Sequence, residues 1–152
     1  MSTVYEAEAG ESRERVAVKV LHPHLIVPGG AGARRFQREA EAIRAIRSDH
    51  VVRVLDAGAD EPTGHLYLVT EYLHGEDLQR LLDREGLLSA RGALAIAAQA
   101  LVGLRDAHAA DVVHRDIKPA NLFLVRNPDG SRTVKLLDFG IARRMVDPLG
   151  AT

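Results

Sequence analysis

The 152-residue chain contains no cysteine. That excludes a disulfide framework and any thiolate-ligated metal site, and it fits a reducing, cytoplasmic setting. A charge bias is also missing: 20 lysines and arginines stand against 21 aspartates and glutamates. No net field therefore directs the protein to nucleic acid or to an anionic membrane. Nor is there a long apolar run. The longest, Ala93 to Leu104, is interrupted by Gln99 and is too short to span a bilayer. The start, Met1 to Gly10, is polar and acidic and has no secretory pattern. Internal repeats and low-complexity tails are absent. What remains is a 46% hydrophobic chain whose length fits one domain or part of one.

One stretch concentrates the chemistry: Val113-His114-Arg115-Asp116-Ile117-Lys118-Pro119-Ala120-Asn121-Leu122. A carboxylate, an ammonium and a carboxamide fall within Asp116 to Asn121. Pro119 cannot continue a helix and drives Lys118 towards an extended conformation. The stretch reads as a rigid loop between buried elements, where catalytic groups tend to sit. Asp116 can accept a proton or orient a hydroxyl. Lys118 can neutralise a transferring phosphoryl. Asn121 can hold a metal ion through its amide oxygen. A charged surface turn would explain Asp-x-Lys alone, but not the whole string.

Around this loop the chain reads as α+β. Alternation predicts strands over Thr3 to Glu8 and Arg15 to Leu21, forming an antiparallel hairpin with Ala17 and Lys19 on one face. Pro23 to Gly32 is a connector. Its Gly29-Gly30-Ala31-Gly32 lacks the spacing of a phosphate loop. A helix over Ala33 to Arg47 puts Phe36, Ala40, Ile43 and Ile46 on one face. Glu39 falls inside that stripe, either at its edge or paired with a cation such as Lys19. Strands follow over Val51 to Ala57 and Leu66 to Thr70. Glu71 to Gly75 is a connector between two lobes. Glu76 to Arg84 is a short helix. Ser89 caps a long one running to about Ala110, with Leu94, Ala97, Ala98, Leu101, Leu104 and His108 along one side. After the loop, strands over Leu122 to Val125 and Thr133 to Leu137 flank an Asn127-Pro128-Asp129-Gly130 turn. They deliver Asp138-Phe139-Gly140, 22 residues after Asp116. An acidic residue there, beside Asn121, suits magnesium, which takes few carboxylates. Gly140 permits unusual backbone angles.

Taken together, these features resemble a serine/threonine protein kinase domain of the eukaryotic-like type common in bacteria. Val16-Ala17-Val18-Lys19 resembles the V-A-I-K strand of that family. Arg38-Glu39-Ala40 resembles its glutamate-bearing helix, and Leu68 to Leu73 its hinge. His114 to Asn121 and Asp138 to Gly140 resemble its catalytic loop and metal-binding turn. The resemblance covers nearly all of Val4 to Arg143. It implies an antiparallel-sheet N-lobe over about residues 1–70, a hinge over 71–75, and the start of a mainly helical C-lobe over 76–152.

The resemblance also implies roles. Lys19, held by Glu39, would bind the α- and β-phosphates of ATP. Asp116 would orient or deprotonate the substrate hydroxyl, and Lys118 would stabilise the γ-phosphoryl. Asn121 and Asp138 would carry magnesium. Backbone groups of Glu71 and Leu73 would meet the adenine edge. Val4, Ala17 and Phe123 would sandwich the ring, with Thr70 behind it. Ile43, Val54, His114 and Phe139 would stack as an apolar column, and Arg115 would receive an activation-loop phosphate. The expected partners are ATP and proteins with Ser or Thr acceptors, with no nucleic acid and no membrane segment. Two departures stand out. Only Ser2 remains where the glycine-rich lid should be, and no Ala-Pro-Glu follows Gly140. The chain thus looks like a kinase cut at both ends, with impaired turnover and exposed apolar surface on the long helix. A non-catalytic kinase-like binding module is the alternative. A small-molecule phosphotransferase of related fold is a third reading, disfavoured by Arg115, Lys118 and the Asp138-Phe139-Gly140 turn.

Overall fold

Alternating β-branched and polar residues build the first sheet. The computed structural model describes residues 2–10, 13–21 and 31–140. Strands β1 (Ser2–Ala9), β2 (Glu14–Leu21), β3 (Val54–Ala59) and β4 (Leu66–Glu71) form an antiparallel sheet in the order β1-β2-β4-β3. Helix α1 (Ala31–Arg44) packs against β3. It buries Phe36, Ala40 and Ile43, as the 3.6-residue period requires.

A second set of elements follows: β5 (Gly75–Asp77), α2 (Leu78–Glu85), α3 (Ala90–Ala109), β6 (Leu122–Arg126) and β7 (Arg132–Leu136). Strands β5, β6 and β7 form an antiparallel sheet in that order, and α3 packs on β7. Asp77 caps α2 by accepting the Arg80 N–H, and Ser89 caps α3 by accepting the Gly92 N–H. Glu76 is buried on β5 and meets both terminal nitrogens of Arg84.

The chain divides into two compact units. Among the described residues, the first takes those of Met1–Ala45 and Arg53–Tyr72, with Gly140; the second takes Ile46–Val52 and Leu73–Phe139. The excursion of Ile46–Val52 into the second unit corrects two sequence-based boundaries. Helix α1 ends at Arg44, not Arg47, so Ile46 lies beyond its apolar face. Strand β3 begins at Val54, because Val51 instead bridges Leu136 of β7 in parallel. The short strand β5 lies where the start of α2 was expected.

Helix α3 buries a face of small residues, not its leucine stripe. Ala100, Gly103 and Ala107 are buried, whereas Leu94 and Leu101 are 70% and 64% exposed. The small residues permit close approach: a Cβ on Gly103 would sit 2.6 Å from the His50 carbonyl oxygen. The apolar stripe read from the sequence is the open face of the helix, in line with the expected exposed apolar surface. The connector with Gly29 and Gly30 and the segment with Arg143 and Arg144 lie outside the described residues.

Candidate functional site

In the first unit, strand register gathers one group of residues. Val4 opposes Lys19 and Lys19 opposes Leu68; Ala17 opposes Thr70. Opposed residues share a face and alternate residues return to it. Val4, Ala17, Lys19 and Thr70 therefore occupy one face of the sheet. Lys19 is half-buried, and Val4 is exposed near the sheet edge. On α1, Glu39 is half-buried beside buried Ala40, and its Oε1 is shielded from solvent. At the end of β4, the Glu71 N–H donates to the Arg53 carbonyl at 3.0 Å, and Glu71 Oε1 accepts the Arg53 N–H at 2.8 Å. The Glu71 N–H is thus engaged.

In the second unit, the loop before β6 closes on itself. Pro119–Asn121 forms a single 3-10 turn with the extended Lys118 at its start, as the proline requires. Asn121 is buried, and its Nδ2 donates to the Asp116 carbonyl at 2.7 Å and to Asp116 Oδ2 at 3.1 Å. Lys118 Nζ donates to the same Oδ2 at 2.8 Å. Two donors therefore fix the Asp116 carboxylate on one side. Lys118 is largely exposed, so this pair is a positioning contact more than a source of stability. Phe123 is half-buried on β6, opposite Lys135 and Asp77. Leu73 is half-buried at the start of the second unit.

His114 ties this loop to the residue before Asp138. Its ring is almost fully buried and lies 4.5 Å from that of Phe139, tilted by 39°. Nε2 faces the Leu137 carbonyl at 2.7 Å, so it must donate; Nδ1 faces the Asp116 N–H at 3.3 Å, so it must accept. These contacts define a neutral imidazole. Burial lowers its pKa, against the opposing pull of the Leu137 carbonyl, Asp116 and Asp138. The Leu137 N–H in turn donates to the Asn121 carbonyl at 2.9 Å. Both backbone groups of Leu137 are thereby pinned to the catalytic loop. Sequence reading placed His114 in an apolar column and missed this polar brace. Ile43 and Val54, the other expected members, are each buried within the first unit.

Two of the four described non-glycine residues with positive φ lie in this part of the chain. Arg115 has φ 64° and Asp138 φ 51°, in the left-handed region that costs most residues energy. Gly140, at φ 62°, adopts the conformation expected of it. Asn121 and Asp138 carry the kinds of oxygen donor that a small hard cation takes. Because Nδ2 of Asn121 points at two acceptors, its Oδ1 is the amide oxygen left to face a ligand. An amide oxygen and one carboxylate suit magnesium without a multi-acid cage. Among the described residues no cluster of three or more His, Asp or Glu side chains could hold a metal. No described helix is long and apolar enough to cross a membrane.

Comparison with known proteins places these features in one context. Residues 1–150 match the family described as "Protein kinase domain". A serine/threonine-protein kinase PknA of Corynebacterium glutamicum is 41% identical over 146 residues, covering 94% of this chain and 30% of that protein. The crystal structure of the Mycobacterium tuberculosis PknI kinase domain superposes with a TM-score of 0.74 at 32% identity, over 93% of this chain and 55% of that one. A structure of Rad53 in complex with AMP-PNP superposes with a TM-score of 0.78 at 25% identity, over 92% of this chain and 35% of that one. The chain thus spans under a third of the length of the curated relative and about half of the PknI kinase domain.

Proposed function

The chain belongs to the protein kinase domain family, and from that premise we propose that it carries the machinery for magnesium-dependent phosphoryl transfer from ATP to serine or threonine hydroxyls of proteins. The bacterial serine/threonine kinases among its relatives support the acceptor class. The AMP-PNP complex of Rad53 supports a nucleoside triphosphate as donor.

The observation that carries the reading is the convergence of Lys118 and Asn121 on the Asp116 carboxylate. Phosphoryl transfer asks for positioning and charge neutralisation more than for covalent chemistry. Asp116 orients the acceptor hydroxyl and takes its proton as that oxygen bonds to the γ-phosphorus. The bond from the γ-phosphorus to the bridging oxygen breaks, and ADP leaves. Lys118 turns from Asp116 to the γ-phosphoryl oxygens, a short movement for an exposed ammonium. Bound magnesium supplies charge neutralisation on the phosphates, and Asn121 and Asp138 would hold it. Lys19, held by Glu39, binds the α- and β-phosphates. Val4, Ala17 and Phe123 contact the adenine ring, Thr70 lies behind it, and Glu71 and Leu73 offer backbone groups to its edge. Arg115 is exposed and suits a phosphate on the chain beyond Gly140.

The test is transfer of labelled phosphate from ATP to a generic basic protein, beside an Asp116→Asn variant. Transfer that depends on magnesium and falls by about 10²-fold or more in the variant is expected. Transfer equal in both proteins would overturn the assignment of Asp116. No transfer in either would leave a kinase-like binding module.

A further inference from the structure

Gln99 is the polar residue that breaks the apolar run of α3. The structure uses it on β7, the edge strand of its sheet. Its Oε1 accepts the Val134 N–H at 3.0 Å, and its Nε2 donates to the Arg132 carbonyl at 3.4 Å. One carboxamide thus pairs with the strand as a neighbouring peptide unit would. The segment after α1 continues the pairing. His50 Nδ1 meets the Val134 carbonyl at 2.9 Å, the Leu136 N–H donates to the His50 carbonyl at 2.9 Å, and the Val52 N–H donates to the Leu136 carbonyl at 3.0 Å. Each of these β7 groups faces away from β6. The outer edge is therefore bonded from Arg132 to Leu136, and Leu137 is then pinned by Asn121 and His114. Asp138 is the next residue.

We propose that Gln99 is a positioning residue for Asp138, closing the outer edge of the strand that leads into it. The inference rests on the reading of Asp138 as a metal ligand. An open strand edge can slip or fray. Leu136 is held by the backbone of residues 50–52, which any sequence could supply. The outer edge of the Arg132–Val134 half is held by side chains, Gln99 at the Val134 N–H and the Arg132 carbonyl and His50 at the Val134 carbonyl, so the Val134 N–H depends on residue 99. The Val134 N–H needs an acceptor, which glutamate also provides and which leucine and lysine lack.

The test uses the full chain with manganese(II) as a paramagnetic probe in the presence of ADP, and Asp138→Asn as control. Gln99→Leu and Gln99→Lys should weaken manganese binding about tenfold, the low end for groups that act behind a metal ligand. ADP affinity in chelator should stay unchanged in both. Gln99→Glu should bind manganese as the parent does. Exchange of the Val134 amide should speed up in the leucine and lysine variants alone. Parent-like manganese affinity in folded Gln99→Leu or Gln99→Lys, with loss in Asp138→Asn, would overturn this inference while leaving the metal reading intact. An equal loss in Gln99→Glu would also overturn it. Unchanged binding in Asp138→Asn would overturn the metal reading and this inference together.

Discussion

The imidazole of His114 donates from Nε2 to the Leu137 carbonyl across 2.7 Å, while its Nδ1 accepts the Asp116 N–H. One buried ring thereby ties the residue before Asp138 to the backbone of Asp116. Only the neutral tautomer protonated on Nε2 satisfies both contacts.

His114→Phe should keep the packing against Phe139 and lose both hydrogen bonds. A buried carbonyl without its donor costs about 1–3 kcal/mol, which urea unfolding would read. The pH dependence follows from the lowered pKa. The unfolded imidazole titrates near 6.5, and the folded one lies below it because it is buried. Between the two values the unfolded chain binds more protons, so this residue's contribution is full above about pH 6.5 and is lost as pH falls through the folded value. The phenylalanine variant should lose less stability than the parent between about pH 7.5 and about pH 5.5.

Lys19→Met tests the nucleotide side. Losing a charge-assisted contact to phosphate costs about 1.5–3 kcal/mol, or about tenfold or more in affinity. Calorimetric titration with ATP and magnesium reads this directly. Circular dichroism of the variant serves as the check that it folds. Unaltered ATP affinity would remove Lys19 from the site.

Gly103→Ala tests the docking of the segment after α1. The added methyl would meet the His50 carbonyl oxygen at 2.6 Å and a Leu136 methyl at 3.0 Å. That carbonyl cannot yield freely, since it accepts the Leu136 N–H. Overpacking costs about 1–3 kcal/mol, and the better helix propensity of alanine returns about 1 kcal/mol. A net loss of up to about 2 kcal/mol in thermal or urea unfolding is expected.

The double substitution Leu94→Lys with Leu101→Lys tests the open face of α3. Both side chains are largely exposed, so unfolding free energy should move by no more than about 0.5 kcal/mol. Exposed apolar surface promotes association, and sedimentation velocity should show less self-association than in the parent. A large destabilisation would mean that these leucines are buried.

Much of this protein was legible in order along the chain. The alternation of Arg15 to Leu21 gave β2, and the stripe of Phe36, Ala40 and Ile43 gave α1. Ser89 marked the start of α3. The string from His114 to Asn121, with Asp138 behind a hairpin, identified the family. These signals are local: strand and helix periods and a proline-constrained loop act over a few residues. The end of α1 and the start of β3 were misread because Ile46 continues the helical stripe and Val51-Val52 suit a strand. The real partner of Val51 and Val52, β7, lies far along the chain. The buried side of α3 was not legible for a related reason. A stripe of leucines looks like a core face, yet Ala100, Gly103 and Ala107 do the packing because β7 and His50 approach closely.

The sequence by itself determined the family and the residue types of the site, because catalytic chemistry is written in short strings whose members lie close in the chain. Tertiary structure alone decided what holds those residues in place. The Leu137 backbone bonds to Asn121 and His114, and the outer edge of β7 is closed by Gln99, His50 and Val52. Such pairings join backbone groups, which every residue carries, to side chains distant in sequence. A backbone amide leaves no mark in the composition of its partner, so only the fold reveals which one it meets.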